Sequence, residues 1–149
     1  MRTNSRPAAD HRLIFLLNVA QRRLQRFLAT RAPSSVTAAQ AGLLFVLGRN
    51  DGALMGEAGA ALDLGMPGIS GLAERMVEAE LIERRADPAD GRAARLWLTP
   101  SGRRALARAK VNAAELNARL AEGFSDAEIA IVARWLTSFQ EKFPKGEDA

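Results

Sequence analysis

Residues 63–102 read DLGMPGISGLAERMVEAELIERRADPADGRAARLWLTPSG. The stretch begins with a glycine turn, and Pro67 suits the first turn of a helix. Apolar residues then recur at Ile69, Leu72, Met76 and Val77, which predicts an amphipathic helix over about 67–80. The period changes at residue 81. LIERR (81–85) reads as a strand. RLWLT (95–99) reads as its return, with Leu96 and Leu98 on one face and Arg95 and Trp97 on the other. Between them, Pro88 and Gly91 favour a tight turn at 87–92 that carries Asp87, Asp90 and Arg92. Thr99 can cap a further helix with Pro100 at its first position.

Upstream, RNDG (49–52) is a turn, and MGEAGAAL (55–62) predicts a short helix of small residues. Thr37 and Gln40 form a capping-box pattern that opens a helix through Ala41, Leu44, Phe45 and Leu47. A long amphipathic helix is expected over 10–31, with a stripe of Leu13, Leu16, Leu17, Ala20, Leu24, Phe27 and Leu28. APSS (32–35) ends it. Downstream, one helix carries Leu106, Ala109, Ala113, Leu116 and Leu120. A last one opens on the Ser125–Glu128 capping box and carries Ile129, Val132, Leu136, Phe139 and Phe143. Phe15, Phe27 and Phe45 read as ordinary core.

Two helices joined by a tight turn and followed by a hairpin make a winged helix-turn-helix. The fold class expected is mainly α with a small β-hairpin wing. The domain boundaries expected are an N-terminal helix at 1–36, the winged lobe at 37–99 and C-terminal helices at 100–149. In this motif the second helix enters the major groove of DNA. Met66, Pro67, Gly68, Ser70 and Gly71 would face base edges, and Ser70 can donate or accept there. The hairpin tip reaches a minor groove, whose negative potential suits Arg92. Arg75, Arg85 and Arg95 add cations to the same surface. Asp87 and Asp90 are out of place beside phosphates unless they position arginines, for which Arg75, Arg85 and Arg92 are the candidates.

Composition supports a polyanion partner and removes other classes. The net charge is +4, and the basic residues cluster: residues 1–50 hold eight Arg and one acid, and residues 87–110 hold six Lys/Arg and two acids. There is no cysteine and one histidine, His11. Disulfides, thiol redox sensing and Cys-based zinc sites are therefore excluded, and no metal or cofactor is expected. No nucleophile–base pair or phosphate loop marks an enzyme. No apolar run approaches the roughly 20 residues of a membrane span, and no signal peptide is evident, so a cytoplasmic location is expected.

The chain resembles the MarR-type transcriptional regulators. The most specific piece is the wing: an Asp, a second Asp and an Arg, then a strand ending in Leu-Thr and a helix beginning with a small residue and Gly. Here these are Asp87, Asp90, Arg92, Leu98, Thr99 and Gly102. ISGLAERMVEAELIERR (69–85) and VTAAQAGLLFVL (36–47) match the recognition helix with its first wing strand, and the supporting helix. Two departures stand out. Glu80 takes the place of a glycine that commonly ends the recognition helix, and Gly71 replaces a larger polar or basic residue. The resemblance implies a homodimer formed by the first and last helices, on a pseudo-palindromic operator in double-stranded DNA. It further implies repression relieved by a small aromatic or anionic effector, with His11 and Arg12 as candidate anion contacts. The competing reading is a winged-helix protein–protein module, or a regulator without specific DNA binding.

Overall fold

The computed structural model describes residues 12–31 and 36–145. His11, the start of the first predicted helix and the APSS segment lie outside the described residues. The chain divides into two compact units, residues 1–35 and 36–149.

The first unit contributes α1 (Leu13–Ala29). Among the described residues it is bounded by Arg12 and Thr30, within the 10–31 expected. Arg12 precedes it in a left-handed conformation without a side-chain cap, and its guanidinium lies 4.5 Å from the centre of the Phe15 ring. Phe15 is half exposed rather than core. Thr30 closes the helix by donating its hydroxyl to the Phe27 carbonyl at 2.7 Å.

The second unit runs α2 (Ala38–Arg49), β1 (Ala53–Leu54), α3 (Met55–Ala61), α4 (Met66–Glu78), β2 (Ile82–Ala86), β3 (Ala94–Leu98), α5 (Pro100–Ala121), α6 (Asp126–Thr137) and α7 (Phe139–Lys142). The Thr37–Gln40 capping box opens α2: Gln40 N–H donates to Thr37 Oγ1, and Thr37 N–H donates to Gln40 Oε1. The three strands form one antiparallel sheet in the order β1-β3-β2. The sequence suggested only the hairpin. β1 was missed because two residues show no alternation.

Leu43, Leu44 and Leu47 of α2, Met55 and Ala58 of α3, Ile69, Leu72, Ala73 and Met76 of α4, and Ile82, Leu96 and Leu98 of the sheet share one core. The first half of α5 adds Ala105 and Leu106. The inward stripe of α4 uses Ala73 where Val77 was expected, and Val77 faces outward. On a 3.6-residue period, positions 69, 72, 73 and 76 are contiguous, and 77 falls beside them at the rim.

The joint between α4, the wing and α5 is tightly specified. Glu80 has φ 58°. It stands at the left-handed position of a Schellman cap, with Leu81 N–H on Met76 O and Glu80 N–H on Val77 O, both at 2.9 Å. α4 therefore stops where a glycine would stop it, at the cost of a strained glutamate. Thr99 holds the same corner. Its hydroxyl donates to Glu80 O at 2.6 Å and accepts the Gly102 N–H at 2.9 Å, while its own N–H donates to Leu81 O. A Cβ on Gly102 would lie far inside van der Waals contact distance of the Leu81 oxygen, so only glycine fits there.

Beyond Leu106 and Ala109 the helices lose their cover. Val111 and Leu120 of α5, Ile131, Val132 and Leu136 of α6, and Phe143 are exposed. The last predicted helix is two helices, broken at Ser138. There the Thr137 and Ser138 hydroxyls bond back to the Ala133 and Trp135 carbonyls and compete with the helical ladder.

Glu80→Gly is expected to stabilise the protein by about 0.5–1 kcal/mol, because relief of the left-handed strain exceeds the added chain entropy of glycine. Gly102→Ala is expected to cost about 3 kcal/mol, since the clash is with backbone that cannot yield. Denaturant unfolding at fixed protein concentration checks both.

Candidate nucleic-acid interface

The outward side of α4 begins uncharged. Met66, Pro67 and Gly68 are exposed, Ser70 and Gly71 are half-buried, and no acid occupies the first turn. With Gly65 as N-cap offering no side chain, the first backbone N–H groups are open to an anionic partner. Arg75 is exposed two turns on, on the flank shared with Gly68 and Gly71. Glu74 and Glu78 also face outward, so the C-terminal half of α4 is acidic and the N-terminal half is not.

The wing pairs Arg85 with Arg95 and Glu83 with Trp97 across β2 and β3. Two arginines directly opposite each other repel, and the structure offsets this with two acids. Arg85 binds Glu83 on its own strand and lies 5.6 Å from the Trp97 ring centre. Arg95 Nε donates to Asp87 Oδ1 at 2.9 Å, and its Nη1 donates to the Gly52 carbonyl at 2.8 Å. The expectation that Asp87 and Asp90 hold Arg75, Arg85 or Arg92 is thus corrected. Asp87 holds Arg95, because the hairpin register brings position 95 beside the strand end, whereas Arg92 sits within the turn itself. Asp90 holds no guanidinium. Its carboxylate accepts the Arg92 backbone N–H at 3.0 Å and shapes the tip.

Arg95 is therefore a brace, with a side chain only 34% exposed. Arg92 differs: it is exposed, and among the described residues its guanidinium forms no ion pair. Arg84 on β2 is likewise exposed and without an ion pair among the described residues. Its position in an apparent strand pattern hid it from sequence reasoning. That reasoning also missed Asp51 and Gly52. RNDG registered only as a turn, yet Gly52 N–H donates to Leu96 O at 2.9 Å, and the Trp97 ring packs where a Cβ on Gly52 would stand.

Similarity to known proteins bears on this geometry. A family model described as "MarR family" matches residues 34–93. A solved structure of the transcriptional repressor CouR bound to a 23-mer DNA duplex is 30% identical to this chain. The match covers 85% of this chain and 91% of CouR, with a TM-score of 0.75. The chain belongs to the MarR family. The HTH-type transcriptional regulator YsmB of Bacillus subtilis is 33% identical over 91 residues, 61% of this chain. The match spans 62% of that protein's length. Bordetella bronchiseptica BpsR, whose DNA binding is regulated by 6-hydroxynicotinic acid, is 25% identical over 85% of this chain and 96% of its own, with a TM-score of 0.72.

Family and fold in this MarR-family chain are those of transcriptional regulators rather than enzymes. Among the described residues no helix is long and apolar enough to cross a membrane, and no group of three His, Cys, Asp or Glu could hold a metal.

The Arg95 hydrogen bond holds the Asp87 carboxyl below its ordinary range. A depressed folded-state value means that the stabilisation is present above the unfolded value and is lost as pH falls through the folded one. The stability difference between wild type and Asp87→Asn is therefore expected to stay flat across neutral pH and to close only below 3.8. Unfolding of both proteins across a pH series reads it.

Proposed function

We propose that this MarR-family protein is a sequence-specific transcriptional repressor. It binds a pseudo-palindromic operator as a homodimer and is released by a small aromatic or anionic ligand. The observation that carries the reading is the pairing of an acid-free α4 N-terminus with an unpaired arginine on a braced wing tip. Pro67, Gly68, Ser70 and Gly71 approach the major-groove base edges, Arg75 and Arg85 contact phosphates, and Arg92 enters the flanking minor groove. Arg95, held by Asp87, with Asp90 shaping the turn, positions that tip. The DNA-bound structure of CouR, at 30% identity, supports DNA as the partner. The ligand control named for BpsR supports an effector. No residue is assigned to its pocket.

Exposed apolar surface supports the dimer. Ile131, Val132 and Leu136 of α6 are each about half exposed, and Phe143 is 72% exposed. Exposed apolar side chains in this number suit a partner rather than water. The helices at 1–36 and 100–149 form the association region, and 37–99 is the DNA-binding lobe. Two-fold symmetry sets half-sites about one helical turn apart.

Fluorescence anisotropy against the duplex upstream of the protein's own gene, with a scrambled duplex as control, tests the reading. Specific binding is expected to exceed non-specific binding by about a thousandfold or more and to weaken steeply with salt. Arg92→Ala is expected to cost about 1–3 kcal/mol of that affinity. Ser70→Ala is expected to change base preference at one half-site position. Equal, weak binding to both duplexes, or unchanged affinity in both variants, contradicts it. Leu136→Glu is expected to convert the dimer to monomer by light scattering, since it buries a charge in the interface.

A further inference from the structure

We propose that Asp51 is a positioning residue of the DNA-binding surface, coupling the wing to the first turn of α5. Asp51 lies in the turn between α2 and β1, and its side chain is 26% exposed. One carboxylate oxygen, Oδ1, accepts the Leu98 N–H at 2.8 Å. The other, Oδ2, accepts from the Arg103 guanidinium at 2.7 Å. Leu98 ends β3, and Arg103 stands in the first turn of α5.

The geometry explains why a carboxylate stands there. β1 pairs with β3 only at Leu96 and Arg95. The Leu98 amide points to the same side of β3 as Leu96, past the end of β1, where no strand reaches it. The Asp51 side chain replaces the missing strand for that amide and uses its second oxygen to seize α5.

The next residue continues the linkage. Gly52 O accepts Arg95 Nη1, and Arg95 Nε binds Asp87 at the base of the wing tip. Three charge-assisted bonds and the Asp51–Gly52 peptide link therefore join Arg103, Asp51, Gly52, Arg95 and Asp87. A displacement of α5 is carried to the wing through this run rather than lost in a flexible corner. α5 continues from here into the helices assigned above to association, so Asp51 sits where dimer geometry meets wing geometry. The inference rests on the reading of the wing as a DNA contact.

The test uses the full chain with Trp135→Phe, which leaves Trp97 as the sole tryptophan and reporter of the wing–turn contact. Asp51→Ala removes both bonds. Asp51→Asn keeps an oxygen for Leu98 and removes the charge facing Arg103. Asp51→Ala is expected to red-shift Trp97 emission and to weaken specific-duplex binding about tenfold, with Asp51→Asn in between. The Arg92→Ala penalty is expected to shrink from about tenfold to under about threefold in the Asp51→Ala background, because a loosened wing gains little from its arginine. General destabilisation would leave that ratio unchanged. Unchanged emission together with the full Arg92→Ala penalty overturns the proposal. If Arg92→Ala costs nothing in the parent, the DNA reading of the wing has failed. Trp97 emission then decides alone: a red shift supports the coupling, and none overturns it. Should Asp51→Ala fail to fold, Asp51→Asn carries the same comparisons.

Discussion

Four elements of the winged lobe meet at the carbonyls of Glu80 and Leu81. The recognition helix ends there, the first wing strand begins there, the second wing strand returns to it through Thr99, and α5 starts against it at Gly102. Hydrogen bonds to these carbonyls and to the Thr99 hydroxyl add to the shared side-chain core, so the angle between α4 and the wing has little freedom. That angle decides whether one rigid body can occupy a major groove and the minor groove beside it. The strained glutamate at position 80 shows that the geometry is kept even where the residue does not favour it.

Charge on the wing is paired where the strands face each other, while Arg84 on β2 and Arg92 at the tip form no ion pair among the described residues. Arg85 and Arg95 face each other across the strands, and Glu83 and Asp87 take up their charge. The exposed Arg85–Glu83 pair adds little stability by itself. The Asp87–Arg95 pair is better enclosed and also reaches the Gly52 carbonyl, so it ties the hairpin to the turn before β1. At the tip Arg92 forms no ion pair among the described residues, which leaves a cation for a polyanion.

Much of this was legible in the sequence because the signals are local. Capping boxes at Thr37–Gln40 and Ser125–Glu128, the Thr99–Pro100 helix start and the alternation of Leu96 and Leu98 all specify structure within a few residues. The misses are non-local or too short. β1 has two residues, so it shows no period. The partner of Asp87 depended on hairpin register, which placed Arg95 beside it and left Arg92 in the turn. Asp51 reaches residues 47 and 52 positions away, and no spacing rule anticipates that. Val77 was placed inward by period alone, but position 77 lies at the edge of the stripe, where the cover of neighbouring elements decides.

The central claim is that the α4 N-terminus and the wing tip lie on DNA together, once in each half of a two-fold dimer. Hydroxyl-radical footprinting on the duplex upstream of the protein's own gene tests this most directly, because it reports minor-groove and backbone contact nucleotide by nucleotide. The account predicts two symmetric clusters of protection, each flanked on the outside by a minor-groove segment whose protection disappears with Arg92→Ala. A single uniform protected tract, or flanking protection that persists without the Arg92 guanidinium, would contradict it.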